Sequence, residues 1–135
     1  MASKVSSKTI LTTSNYFAEA TMRNYKAAID VPINKGGSNK GPTPVEYFLT
    51  AIGGCVAITI KMYAERKNWD IGEVTVNVIQ KEELTSEGIK KTLIEEISFE
   101  NEITEMQRVK LLEMAGKCPV AKMVKGATPI TSKIK

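Results

Sequence analysis

The longest run of hydrophobic positions lies between Gly41 and Lys67, read GPTPVEYFLTAIGGCVAITIKMYAERK. From Tyr47 to Ile60 no residue carries a charge, and apolar residues fall on every face of a helical wheel. That spacing predicts a helix buried all round in protein or lipid. Fourteen uncharged residues are fewer than the roughly 20 that cross a bilayer, which favours protein. The start is well marked: Thr43 suits the N-cap, Pro44 the first helical position, and Glu46 completes a capping box. Gly53 and Gly54 interrupt the run just before Cys55. Each costs about 1 kcal/mol against Ala in a helix, so they mark either the close approach of another backbone or slack in the core.

Before this helix, Lys8 to Thr13, Tyr16 to Met22 and Tyr25 to Val31 read as strands, with turns at Ser14-Asn15 and Arg23-Asn24. Pro32 to Pro44, PINKGGSNKGPTP, is loop by composition and matches neither glycine-rich phosphate-binding pattern. After the helix, Val74, Val76 and Val78 alternate with polar residues over Glu73 to Gln80, as in a half-buried strand. Glu82 to Lys90 reads as a charged turn. Leu93, Ile97 and Phe99 then share one parity over Lys91 to Glu100, which predicts a hairpin with the strand before. Thr104 to Lys117 is expected as a helix, capped by Thr104, with Met106, Val109, Leu112 and Met114 near helical spacing. Pro119 suits the first position of another, which makes Cys118 its N-cap; Gly126 ends it, and Thr128 to Ile134 reads as a last strand. Strands cluster instead of alternating with helices, which argues a single α+β domain over residues 1–135. A helix too apolar for one 135-residue chain to cover on all sides points to a homodimer.

Net charge is +4 and the isoelectric point about 9.0, which raises the question of nucleic acid. The lysines are spread from Lys4 to Lys135, and eight aromatic residues offer few stacking platforms, so a generic solvated basic surface is the better reading. The N-terminal stretch lacks the apolar core of a signal peptide, so the expected location is cytoplasmic, with no membrane partner. Two cysteines in a reducing compartment do not form a permanent staple; a Cys55–Cys118 bond, if made, would be transient. The chain has no histidine, which removes Ser-His-Asp and Cys-His nucleophiles and the common zinc sets. Cysteine chemistry here needs a cation, a hydrogen bond or a helix end. Cys55 lies about three turns inside its helix, too deep for the dipole to favour a thiolate, and on these grounds reads first as a small, inert core residue. Cys118 is better placed, at a helix start flanked by Lys117 and Lys122.

The run from Gly41 to Cys55, with Pro44, Glu46 and small residues before the cysteine, resembles the OsmC/Ohr family of thiol peroxidases. Cys118-Pro119-Val120 is similar to that family's second-cysteine motif, nearest the OsmC branch, and the order of elements agrees over nearly the whole chain. The resemblance implies an intertwined homodimer with two interfacial sites that reduce organic hydroperoxides, and often hydrogen peroxide, without metal or flavin. It implies Cys55 as the peroxidatic cysteine and Cys118 as the resolving one, regenerated by a dithiol reductant, either a lipoylated protein or a thioredoxin-like donor. Glu46 matches the family glutamate that orients a cationic partner. That partner is an arginine in the family; here Lys35 stands at the matched place, twenty residues before Cys55, with Arg23 the other cation nearby. Lysine carries the charge but lacks the planar fork that holds a carboxylate bidentately.

Glu46 and Cys55 are nine residues apart, which places them on opposite faces of a straight helix and roughly 13 Å apart along it. Either the glycines bend the helix or Glu46 serves the other subunit's cysteine; a capping role alone also accounts for it. The rival to an enzyme is a non-catalytic binder of small apolar ligands, or a redox sensor, on the same fold.

Overall fold

The computed structural model describes residues 4–135. Two compact units make up the chain, one ending at Phe48 and one running from Leu49 to Lys135.

The first unit is built on an antiparallel meander of β1 (Lys8–Leu11), β2 (Ala18–Met22) and β3 (Tyr25–Ile29). Arg23 and Asn24 form the expected tight connection, with Met22 opposite Tyr25 in register. Arg23 takes a positive φ of 56°, and its guanidinium lies 4.9 Å from the Tyr25 ring centroid. Ala18 and Ala20 are the buried face of β2. The loop that follows is organised by one residue, Asp30, only 1% exposed. Its Oδ1 accepts from the backbone N–H of Val31 (2.8 Å) and of Ser38 (3.4 Å), and its Oδ2 from that of Lys40 (3.1 Å). Burial works against the ionised carboxylate, but these N–H bonds and the Lys40 charge outweigh it, so its pKa lies below the ordinary value. A short 3₁₀ turn, Ile33–Lys35, sits inside the loop. Gly37 is required there, because a Cβ would lie on the Val31 carbonyl oxygen.

Helix α1 (Pro44–Arg66) begins at the end of this unit and continues without interruption through Gly53 and Gly54. Its capping box is formed: Glu46 N–H donates to Thr43 Oγ1 at 3.2 Å, and Thr43 N–H donates to Glu46 Oε1 at 2.9 Å. In the second unit α1 meets the hairpin of β4 (Val74–Thr85) and β5 (Gly88–Phe99), then α2 (Glu105–Ala115) and α3 (Pro119–Lys125). Ile52, Val56, Ile60 and Ala64 form the inner stripe of α1 and build the core with Ile71, Leu111, Ala115, Cys118 and Ala121. Each large aliphatic so buried contributes about 1.5–3 kcal/mol. Gly53 is where β4 approaches: a Cβ there would stand 3.4 Å from Val78 Cγ2 and 3.6 Å from the Val76 carbonyl. Gly54 faces open space.

Five expectations are corrected. Only one stripe of α1 is covered within the chain; Ile58 and Met62 are about three-fifths exposed. At 23 residues, with mean hydropathy 1.4 over its best 18, α1 is also long and apolar enough to cross a membrane, which the uncharged run alone did not suggest. Glu82 to Lys90 is no loop, because the strands run on to a two-residue turn at Ser86-Glu87, where Thr85 Oγ1 donates to the Gly88 carbonyl at 2.7 Å. Both faces of that outer ribbon are exposed, so no alternation marks it. Thr128 to Ile134 forms no strand among the described residues, since no second strand offers it a ladder and its side chains are exposed. In α2 the inward residues are Leu111 and Ala115, while Met106, Val109 and Leu112 point outward.

Candidate active site

Two cysteines from opposite ends of the second unit meet in its core. Cys55 lies on α1 beside the inner stripe and is half-buried; Cys118 precedes α3 and is fully buried. Both pack into the same core cluster, and both are free thiols. The positions follow from local rules. Cys55 stands one residue before Val56 and so at the edge of the Ile52-Val56-Ile60 stripe. Cys118 adopts extended backbone, with φ −66° and ψ 142°, because Pro119 starts the next helix. Its Sγ is the cap, accepting from the Ala121 N–H at 3.2 Å.

The electrostatics of Cys118 run against the expectation of a ready thiolate. Burial pushes its pKa up; the Ala121 N–H acts the other way, while Cys55 and Glu95 add to the rise. Of the two lysines thought to help, Lys117 is engaged with Glu113 at 3.5 Å and Lys122 stands in solvent. An N–H at a short helix start does not outweigh exclusion from water.

Lys35 and Glu46 belong to the first unit. Lys35 ends the 3₁₀ turn, its N–H donating to the Pro32 carbonyl at 2.9 Å and its side chain exposed. Glu46 is the capping-box residue described above, and the Thr43 backbone and side chain hold its carboxyl below the ordinary value. Among the described residues no cluster of three or more His, Cys, Asp or Glu side chains could hold a metal. Sequence reasoning passed over Glu95. The signal was there in the strand parity, since 95 falls between inward-facing Leu93 and Ile97.

Residues 37–133 match the family described as OsmC-like protein. The chain belongs to that family. No curated protein matches it. Among solved structures, an OsmC-like protein of Mycoplasma pneumoniae is similar at TM-score 0.72 and 20% identity, covering 93% of this chain and 90% of its own. An organic hydroperoxide resistance protein, OsmC, of Legionella pneumophila gives 0.69 and 18%, with 93% and 92% covered. The organic hydroperoxide resistance protein OhrB of Bacillus subtilis gives 0.62 and 16%, with 91% of each chain covered. At these identities the likeness establishes the α+β fold of the OsmC-like protein.

Proposed function

We propose that this OsmC-like protein defends against peroxides as a thiol peroxidase that reduces organic hydroperoxides. The reading is carried by the meeting of Cys55 and Cys118 as free thiols in one core. It is supported by membership of the OsmC-like family and by a fold shared with hydroperoxide resistance proteins. Cys55, the more accessible sulfur, attacks the distal peroxide oxygen; the O–O bond breaks, an alcohol leaves and Cys55 becomes the sulfenic acid. Cys118 then attacks that sulfur. The S–S bond forms, the S–O bond breaks, and hydroxide leaves with the thiol proton as water. A dithiol reductant, lipoylated or thioredoxin-like, reopens the bond by exchange and is itself oxidised. Lys35, or else Arg23, supplies the positive charge that favours the attacking thiolate, with Glu46 orienting it. The working unit is a homodimer located in the cytoplasm.

The test is consumption of cumene hydroperoxide with a dithiol reductant, together with intact mass after one equivalent of peroxide. Wild type should turn over and lose two hydrogens, and Cys55→Ser should do neither. Unchanged consumption by Cys55→Ser would refute the reading.

A further inference from the structure

Glu95 breaks the inward pattern of β5. Leu93, Ile97 and Phe99 on the same strand parity pack against the core, and across the ladder Glu95 faces Val78, which lies against α1 at Gly53. A carboxylate on that parity, exposed where Leu93, Ile97 and Phe99 are half-buried, departs from the local pattern, and such departures concentrate at working sites. Glu95 lines a cavity of about 380 Å³ together with Ile52, Leu93, Ala121, Val124 and Lys125. Two of these walls lead directly to the thiols. Ala121 supplies the N–H that bonds Cys118 Sγ, and Ile52 stands one turn before Cys55. The remaining charge on the cavity is Lys125, whose Nζ reaches back toward Gly116, two residues before Cys118.

We propose that Glu95 is a positioning residue for the cysteine pair: its carboxylate keeps negative charge off Cys118 and so leaves Cys55 as the nucleophile. Two thiols in contact do not both ionise readily, and their surroundings decide which one carries the charge. The ionisable groups beside Cys118 include Cys55 on α1, Glu95 on β5, Lys122 and Lys125 on α3, and the Glu113–Lys117 pair at the end of α2. Glu95 is the carboxylate on the cavity that Ala121, the hydrogen-bond partner of Cys118, also lines, and Lys125 is the cation sharing that cavity. Cys118 therefore waits as a neutral thiol until Cys55 has become electrophilic. The use made of this asymmetry rests on the peroxidase reading; the asymmetry itself is measurable without peroxide.

The experiment is a pH titration of the protein carrying ¹³C at the cysteine Cβ, which reads each sulfur by its own resonance. In Glu95→Gln the Cys118 midpoint should fall by about half a pH unit, the effect of removing one charge at short range in a partly screened site. Glu95→Asp, which keeps the charge, should restore most of the wild-type value, and Lys125→Met should move the midpoint upward. A second arm adds limiting cumene hydroperoxide in the presence of dimedone, and the share of trapped sulfenic acid on Cys118 should rise severalfold in Glu95→Gln. A Cys118 midpoint that stays in place in folded Glu95→Gln and Lys125→Met would overturn the proposal. Midpoints that move as stated in a protein inert to peroxide would sustain it while removing the peroxidase reading.

Discussion

Cys118 does two jobs with one sulfur, capping α3 and lying against Cys55. Replacing it separates them. Cys118→Ser keeps an acceptor for the Ala121 N–H, whereas Cys118→Ala leaves that donor unmet at a cost of about 0.5–2 kcal/mol. Thermal melts should rank serine above alanine, and melts ranking alanine higher would show that the cap contributes nothing. Both variants should stop after consuming about one equivalent of peroxide to reach the Cys55 sulfenic acid, with a second equivalent carrying Cys55 irreversibly to sulfinic acid. Rapid multiple turnover by Cys118→Ser would remove the resolving role. The cation is the other question at this scale. Lys35→Met should slow Cys55 alkylation near neutral pH in a Cys118→Ser background, and Lys35→Arg should preserve or raise the rate. An unchanged rate in Lys35→Met would take Lys35 out of the chemistry and make Arg23, held over Tyr25, the next residue to change.

At the scale of elements, the loop from Val31 to Lys40 is latched by Asp30, and its pH dependence follows from the sign of the shift. Folding lowers the Asp30 pKa, so the contribution is fully present above the ordinary aspartate range and is lost as pH falls through the lower folded value. Asp30→Asn should lower the amide protection factors of Ser38 and Lys40 at neutral pH, as protonation of Asp30 does in the wild type. Exchange equal to wild type would mean that the backbone alone holds the loop. Elements with chemical punctuation were legible in the chain. Thr43-Pro44-Glu46, Thr104 and Cys118-Pro119 each open a helix where the residues required it. Elements whose limits depend on distant partners were not. The outer half of β4 and β5 carries Lys81, Glu82, Glu83, Lys90 and Lys91 on exposed faces, so only ladder pairing defines it. The same holds for the site. The motif located both sulfurs, but the burial that makes Cys118 a reluctant thiolate comes from α1, β5 and α3 together.

For the whole molecule, the outer side of α1 is the surface that an assembly would cover. Ile58 and Met62 border a cavity of about 670 Å³ with Ala57, Val74 and Gly72, an apolar surface that water should not be left to cover. We expect a homodimer that buries it. Light scattering at micromolar concentration should give twice 14.8 kDa, and Met62→Glu should shift the mass toward a single chain. A folded wild-type species of 14.8 kDa under those conditions would rule the dimer out.

The capping sulfur also ties folding to oxidation. In the reduced protein Cys118 Sγ accepts the Ala121 N–H and holds the first turn of a helix only seven residues long. A disulfide sulfur is a poorer acceptor, so closing the proposed bond with Cys55 would loosen α3, and the two equilibria are reciprocally linked. A partner that grips α3 would make the disulfide easier to reduce, and one that unwinds it would make the oxidised form persist. The last short helix of the chain would then report the redox history of the protein to whatever binds it.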